Sequence, residues 1–266
     1  MADSISMAEP RSFPDVIVDT AYHKLMAARA RANPDTRAEK PRDAIIAGLS
    51  LVTEALNYSF SASQLRLERK RGDLTFRLNI QSDRNNVAGQ RAAILVHPAI
   101  YSRAVSAWSK RHPSEWIRPK TPLPLPFVGS QIGYMGEPKG WMTWDFADPA
   151  SRRETAEDLA QTIRSRVEPF FAAFDGPVEG IAALPLQPGG VLPEMRAAGI
   201  LTYLLAHGHK SLALQTLTSY FDARPKDRAE FEAKLHEFAG NGLPEFRSLG
   251  VSDLAAFAVA TGYPWS

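Results

Sequence analysis

Hydrophobic positions follow two different periods along the chain. In residues 15–32 and 42–57 they recur on one face of a helix, which predicts two helices joined by a polar linker. Residues 65–70 and 74–81 instead alternate apolar and polar positions on either side of Arg71-Gly72. Two alternating runs around a short turn containing glycine predict a β-hairpin.

The pattern then continues as a mixture of strands and helices. Residues 91–97 are apolar at nearly every position, which is typical of an interior strand. Pro98 is expected to end this strand, because proline lacks the N–H that a strand ladder requires. The later elements predicted from the pattern are a helix over 99–111, strands over 127–134 and 140–146, and a helix over 149–174.

A change of composition divides the chain near its last third. Residues 175–193 are rich in Pro, Gly and Ala, and only helical patterns follow them. The fold class predicted is α+β: a five-stranded, mainly antiparallel sheet with helices packed on one face, followed by a small all-helical C-terminal domain. The predicted parts are a disordered N-terminus 1–14, an α+β domain 15–174, a linker 175–193 and a helical domain 194–266.

Charge is balanced overall but uneven along the chain. The 31 basic and 29 acidic residues of the sequence leave a net charge of +2. Residues 60–120 hold 12 Lys and Arg against 4 Asp and Glu, a net of +8, whereas residues 121–200 hold 6 against 10, a net of −4. The strands of the predicted hairpin therefore lie in the most basic part of the chain.

The register of the hairpin brings two arginines together. Counting outward from an Arg71-Gly72 loop places Arg66 directly opposite Arg77 on the polar face. Like charges in that position are unfavourable unless an anion lies between them. Glu68, a carboxylate from a covering helix, or a ligand could supply it, and the internal carboxylate is the preferred reading of the three.

Tryptophans surround a proline-rich loop at 113–126. Trp108, Trp116, Trp141 and Trp144 all lie near this loop in sequence. They either cover the end of the sheet, which is the favoured reading, or line a groove for a partner, since tryptophan is enriched at binding hot spots. Trp108, Trp116 and Trp141 join Arg66 and Arg77 as the candidate partner-binding residues.

Several short stretches carry a resemblance to other proteins. They are LTFRLNIQS at 74–82, VHP at 96–98, SAW at 106–108, QIGY at 131–134, WDF at 144–146 and VEPFF at 167–171. With these stretches, residues 44–174 resemble an uncharacterised bacterial family of domains of unknown function. The resemblance implies an α+β fold and no particular activity. Farther on, Ala213, Leu217 and Pro225 are similar to the second helix of a tetratricopeptide repeat, but one partial match predicts plain packing of a helix hairpin.

The residue inventory excludes several kinds of chemistry. The sequence has no cysteine, so disulfides, thiolate zinc sites and iron–sulfur clusters are excluded. Glu68-Arg69-Lys70 resembles the E-x-K element of metal-dependent nucleases, but its position on the first hairpin strand favours a solvated sheet edge. His207-Gly208-His209 is a close histidine pair whose glycine is typical of a helix end rather than of a metal site. We predict no catalytic residue, no metal ligand and no cofactor.

These observations favour a binding protein over an enzyme. The leading hypothesis is a non-enzymatic, cytoplasmic interaction protein that binds a protein partner through the basic sheet region and the Trp/Pro loop. An immunity or accessory role in bacterial conflict is one form of it. The first alternative is a nucleic-acid-binding protein that uses the basic sheet region. The second is an enzyme with an acid–base site near His97, Asp145 and Glu137. The lack of a signal peptide or a 20-residue apolar run predicts no membrane association.

Overall fold

Two of the predicted N-terminal segments, the disordered 1–14 and the helix 15–32, lie outside the part of the chain that a computed structural model describes. Residues 119–125 of the proline-rich loop and residues 187–192 of the predicted linker also lie outside it. The residues described are 38–118, 126–186, 193–245 and 250–262.

The described chain is α+β, as predicted, with its strands between residues 59 and 145 and helices alone after the last strand. The strands are β1 Ser59–Ser61, β2 Arg66–Arg71, β3 Leu74–Ser82, β4 Ala93–Ser102, β5 Val128–Gly129 and β6 Trp144–Asp145. The α-helices are α1 Pro41–Ala55, α2 Arg103–Arg111, α3 Arg152–Thr162, α4 Glu168–Ala172, α5 Val178–Ala183, α6 Pro193–Ala206, α7 Lys210–Asp222, α8 Pro225–Asn241 and α9 Val251–Thr261.

The strands form one curled antiparallel sheet in the order β1-β2-β3-β4-β5, and β6 pairs with β4 beside β5. Alternation gives this sheet two unlike faces. Leu67, Phe76, Leu78, Val96 and Ile100 share the face that is fully buried in the core. The side chains between them on the same strands are mostly polar and only half buried, so the opposite face is the polar face of the sheet.

The prediction that Pro98 ends its strand is wrong. β4 continues through Pro98 to Ser102, and α2 begins only at Arg103. The carbonyl of Pro98 accepts a hydrogen bond of 3.0 Å from the N–H of Ser130, so its peptide groups point away from β3. The missing N–H therefore lies on the side of the very short strand β5, and the ladder to β3 loses no donor.

The predicted strands over 127–134 and 140–146 are also corrected. Only two residues of each, in β5 and β6, pair with β4. Between them Ile132–Tyr134 forms a 3₁₀ turn, and the chain leaves the sheet as a long loop. The apolar residues that suggested strands are buried for another reason, since Ile132 and Phe146 pack into the core with no exposed surface.

The predicted helix over 149–174 is interrupted by a π-helical turn. The turn spans Ile163–Val167 between α3 and α4, and Pro169 follows in the first turn of α4. A proline inside an α-helix leaves a carbonyl without its N–H donor. The wider turn accommodates this, because the N–H of Glu168 bonds to the carbonyl of Ile163.

The C-terminal helices share their core with the sheet. The ring of Phe127, beside β5, stacks on Tyr203 of α6 at a centroid distance of 5.3 Å. A side chain at Gly199 of α6 would place its Cβ 1.8 Å from the carbonyl oxygen of Phe127. The described part of the predicted linker is helical, in α5 and the 3₁₀ turn Leu184–Leu186. The division into two folding units stays a prediction.

Gly199→Ala is expected to destabilise the protein by about 1–3 kcal/mol, because the added methyl group must push α6 away from the backbone of residue 127. Gly240→Ala is the matched control, since it lies near the end of α8 with nothing within 4 Å of its added Cβ. That change should leave stability level or raise it by up to about 1 kcal/mol. Urea unfolding of both variants measures the difference, and equal effects would contradict the close contact.

Candidate interaction surfaces

The turn of the first hairpin lies one residue later than predicted. Arg71 pairs with Leu74, so the two loop residues are Gly72 and Asp73. Gly72 has a φ of +54°, which suits glycine at the first position of such a turn. Asp73 is drawn into the turn by α2, because its carboxylate accepts hydrogen bonds from the N–H of Ala104 at 3.0 Å and from the hydroxyl of Ser102.

This register corrects the predicted pair of facing arginines. Arg66 lies opposite Asn79, and Arg77 lies opposite Glu68. All four remain on the polar face, because moving the turn by one residue shifts the pairing by two and preserves the alternation. The carboxylate that separates the arginines is therefore the internal one, Glu68.

Glu68 forms ion pairs with both arginines through one carboxylate oxygen. Its Oε2 lies 3.2 Å from Nε of Arg77 and 3.3 Å from Nε of Arg66, and its Oε1 lies 3.7 Å from the Lys70 ammonium. The side chains of Glu68, Arg77 and Arg66 are 14%, 19% and 26% exposed, whereas that of Lys70 is 73% exposed. The two guanidiniums are thus half buried beside Glu68, while the ammonium is solvated.

Strand β4 adds an aromatic and a histidine to the same polar face. The guanidinium of Arg77 lies over the ring of Tyr101, 4.4 Å from its centroid. Asn79 lies opposite His97 and donates hydrogen bonds to the His97 carbonyl at 3.3 Å and to the Tyr101 hydroxyl at 3.5 Å. Nε2 of His97 is buried and has no hydrogen-bond partner among the described residues, and burial lowers the pKa of this histidine.

The acid–base alternative near His97 finds no support in these contacts. In the described residues His97 makes no contact with a carboxylate. Asp145 is occupied elsewhere, since its Oδ1 accepts from the N–H of Ala92 at 2.8 Å and from that of Ala147 at 3.0 Å. Glu137 is exposed and lies 3.7 Å from Lys139.

Most of the tryptophans belong to the core. Trp144 is 4% exposed, and its indole N–H donates to Asp158 at 2.7 Å. Trp108 and Trp116 are half buried and pack against the same core, with Trp108 4.8 Å from the ring of His112. Trp141 differs, because 67% of its surface is exposed. Of the three predicted tryptophans, Trp141 alone presents its ring freely on the described surface.

The loop that carries Trp141 is held by one arginine of the π-helical turn. NH1 of Arg166 donates to the carbonyls of Gly133, Gly136 and Pro138 at 3.1, 3.3 and 3.2 Å, and NH2 donates to that of Glu137 at 3.3 Å. Four carbonyl groups within residues 133–138 are thereby held around a single guanidinium, which we call the Arg166 anchor.

Two further contacts close the same loop at its base. The side chain of Gln131 accepts from the N–H of Gly133 at 2.7 Å and donates to the carbonyl of Met142 at 3.0 Å. The N–H of Gly140 bonds to the Gly133 carbonyl at 3.2 Å, and a Cβ at Gly133 would lie 1.9 Å from the Gly140 carbonyl. Residues 131–142 therefore form a closed loop, the Trp141 loop, with Tyr134 edge-on to Trp141 at 5.7 Å.

Sequence reasoning did not find two of these residues. Tyr101 was missed because β4 was expected to stop at Pro98, and alternation along the longer strand places Tyr101 on the polar face with His97. Arg166 was missed because it lies 24 or more residues from the loop it holds, and only the fold joins them. The described residues contain no group of three metal-ligating side chains and no helix that could cross a membrane.

Glu68→Ala is expected to lower the free energy of unfolding by about 1–3 kcal/mol, because it leaves two half-buried arginines without their carboxylate. Arg77→Ala should cost less, about 1 kcal/mol, since Arg66 and Lys70 still pair with Glu68. Lys70→Ala, on the same strand, serves as the control, and its exposed ion pair should contribute less than about 1 kcal/mol. Chemical denaturation measures the three losses of unfolding free energy. A larger loss for Lys70→Ala than for Glu68→Ala or Arg77→Ala would contradict this order.

Acidification is expected to destabilise the protein partly through His97. Its lowered pKa means that the unfolded chain takes up a proton first as the pH falls below about 6.5. Unfolding free energy should therefore decrease between about pH 7 and pH 5. In His97→Gln this decrease should be shallower, and it should be shallower still with His112→Gln, whose pKa burial also lowers. Urea titrations at three pH values give the unfolding free energy as a function of pH. The same decrease with falling pH in the wild type and in both variants would contradict the prediction.

Comparison with known proteins identifies no relative from which a role could be transferred. The chain matches no family model, no curated protein and no solved structure at a significant level. The resemblance of residues 44–174 to a bacterial family stays a prediction, and function has to be argued from the surfaces themselves.

Proposed function

We propose that this protein binds a protein partner through the Trp141 loop. The observation that carries the proposal is the 67% exposure of Trp141 on a loop whose backbone is fixed by the Arg166 anchor. Exposing so large an apolar ring to water is unfavourable unless a partner covers it. Tryptophan is also among the residues that contribute most binding energy at protein interfaces.

The fixed backbone strengthens the case for binding. A loop that is ordered before the encounter loses little conformational entropy when a partner docks, so more of the contact energy remains as affinity. Here a buried glutamine, a tight glycine contact and four hydrogen bonds from Arg166 hold a segment that otherwise has no regular secondary structure. Tyr134 supports the exposed ring from its edge and limits its rotation.

The other large apolar side chains on the described surface are less specific. Leu186 and Met195 are 43% and 46% exposed, and neither lies on a loop with comparable ties. Single exposed aliphatic residues are common on soluble proteins. Met195, on α6, therefore serves as a control position for the experiment.

A photo-crosslinking amino acid that carries a large aromatic ring, placed at position 141, is expected to capture one partner from extracts of the native host, because its ring can fill the same pocket as that of Trp141. Excess wild-type protein should compete with the crosslink, whereas excess Trp141→Ala should not, because the competitor lacks the ring that fills the partner's pocket. The same amino acid at position 195 should give no such product. If position 195, and not position 141, gives a crosslink that excess wild-type protein suppresses, the partner binds elsewhere and the proposal is contradicted.

Loss of the Arg166 anchor should weaken binding while leaving the ring in place. Arg166→Ala is expected to lower affinity for the captured partner about tenfold, because the loop must then be ordered on binding. Arg164→Ala is the matched control from the same turn, since Arg164 donates to the Ala55 carbonyl at 2.7 Å, away from the loop. Titration of the purified partner should show at most a twofold change for Arg164→Ala, by the usual scatter of surface substitutions. Equal losses would show that the anchor does not act through the loop.

A further inference from the structure

The polar face of the sheet carries a second feature, which is independent of the Trp141 loop. Arg66 and Arg77 both contact Glu68 through their Nε atoms. Within the described part of the chain, neither guanidinium donates a hydrogen bond from its terminal amino groups. Arg77 donates a hydrogen bond from Nε to Glu68, and Arg66 forms an ion pair with the same oxygen, so the terminal amino groups of both guanidiniums are left available.

The two guanidiniums lie near each other. Because both Nε atoms contact the same oxygen of Glu68, the two Nε atoms are no farther apart than their contact distances of 3.2 and 3.3 Å combined. The ring of Tyr101 lies against the guanidinium of Arg77, 4.4 Å from it. Two arginines from different strands therefore place their guanidiniums in one region of the polar face.

The local charge favours an anion there. Arg66, Lys70 and Arg77 carry three positive charges against the single carboxylate of Glu68. The remaining excess of positive charge lies on a half-buried face, where it is screened less than on an open surface. His97, whose Nε2 has no hydrogen-bond partner within the described ranges, lies on the same face.

From this geometry we infer that Arg66 and Arg77 form a binding site for a phosphate group. A carboxylate has two oxygens in one plane, and a single guanidinium fork satisfies them. Glu68 already supplies a planar carboxylate to the Nε atoms of both arginines. A phosphate directs its oxygens tetrahedrally and can accept from two guanidiniums that approach from different strands.

Inorganic phosphate is the first probe, titrated into the isotopically labelled full chain at constant ionic strength and followed by NMR. The expected result is saturable shifts of the amide signals of β2 and β3. Arg77→Gln should weaken binding about tenfold, the loss expected for one charge-assisted pair. Arg77→Lys should weaken it as well, because an ammonium is a point charge without the planar fork.

Lys70→Gln is the matched control, because it removes one positive charge from the same polar face, on the strand β2 that pairs with the strand of Arg77. It should change affinity less than about threefold, as expected for a solvated charge. If Arg77→Gln does not fold, Arg66→Gln takes its place, and the amide spectrum of each variant reports its fold. Equal weakening by Lys70→Gln and by the arginine variants would show a diffuse charge effect and overturn the site. The absence of saturable shifts in the wild type would overturn it too.

Two further probes separate the sources of the phosphate group. Oligothymidylate that binds more tightly than inorganic phosphate, at the same residues and with the same loss in Arg77→Gln, would assign the site to the backbone of a nucleic-acid strand. Binding of inorganic phosphate alone would assign it to a small phosphorylated ligand, and both results support the inference. A hexaglutamate peptide that binds these residues as tightly as either phosphate probe would overturn the preference for phosphate. None of these results depends on the Trp141 loop, so the site and the proposed protein partner can fail separately.

Discussion

The carboxylate of Asp73 joins three parts of the fold that are distant in sequence. It sits in the turn between β2 and β3, caps the first turn of α2 through Ala104 and Ser102, and lies 3.4 Å from Nε2 of His207 at the end of α6. A cap on an N-terminal turn satisfies backbone donors that would otherwise be unpaired. The same contact requires Asp73 to stand in the loop, and this fixes the register of the hairpin. Because the register decides that Glu68 faces Arg77, the polar face of the sheet depends on this one carboxylate.

The sequence predicts which face of the sheet each residue of the hairpin lies on, but it does not predict the register of the hairpin. The faces of the strands follow from alternation alone, so Leu67 and Phe76 were correctly placed on the apolar side. The register does not follow, because either residue pair around Gly72 makes an acceptable turn and α2 selects between them from 30 residues away. Alternation survives a shift of two, which explains why the arginines and the glutamate were grouped correctly although their partners were wrong.

The Trp141 loop shows a different limit of prediction. Its apolar residues and flanking glycines indicated strands, and two residues on each side of the loop, in β5 and β6, do pair with β4. What lies between them is set by a guanidinium from another element, and no local signal in 131–142 indicates it. The exposed position of Trp141 could not be distinguished by residue type from the buried position of Trp144, since both lie in the same segment. Only the long-range hydrogen bonds of Arg166 and the Trp144–Asp158 contact separate their environments.

The π-helical turn and the first residue of α4 connect these features, because their charged side chains hold three different parts of the chain. Arg164 bonds to the end of α1, Arg166 holds the Trp141 loop, and Glu168 accepts from the Tyr58 hydroxyl at 2.6 Å and from Arg69 at 3.1 Å. Burial, followed by the neighbouring Glu168, raises the pKa of Tyr58 well above its usual value, so this hydroxyl remains a donor. In a regular α-helix, successive residues are rotated by about 100° around the helix axis. The inserted residue of the wider turn changes the rotation between Arg166 and Glu168 from the value that a regular helix would give. The wider turn that accommodates Pro169 thus also sets the directions in which Arg166 and Glu168 leave the helix, and the Trp141 loop is ordered as a consequence.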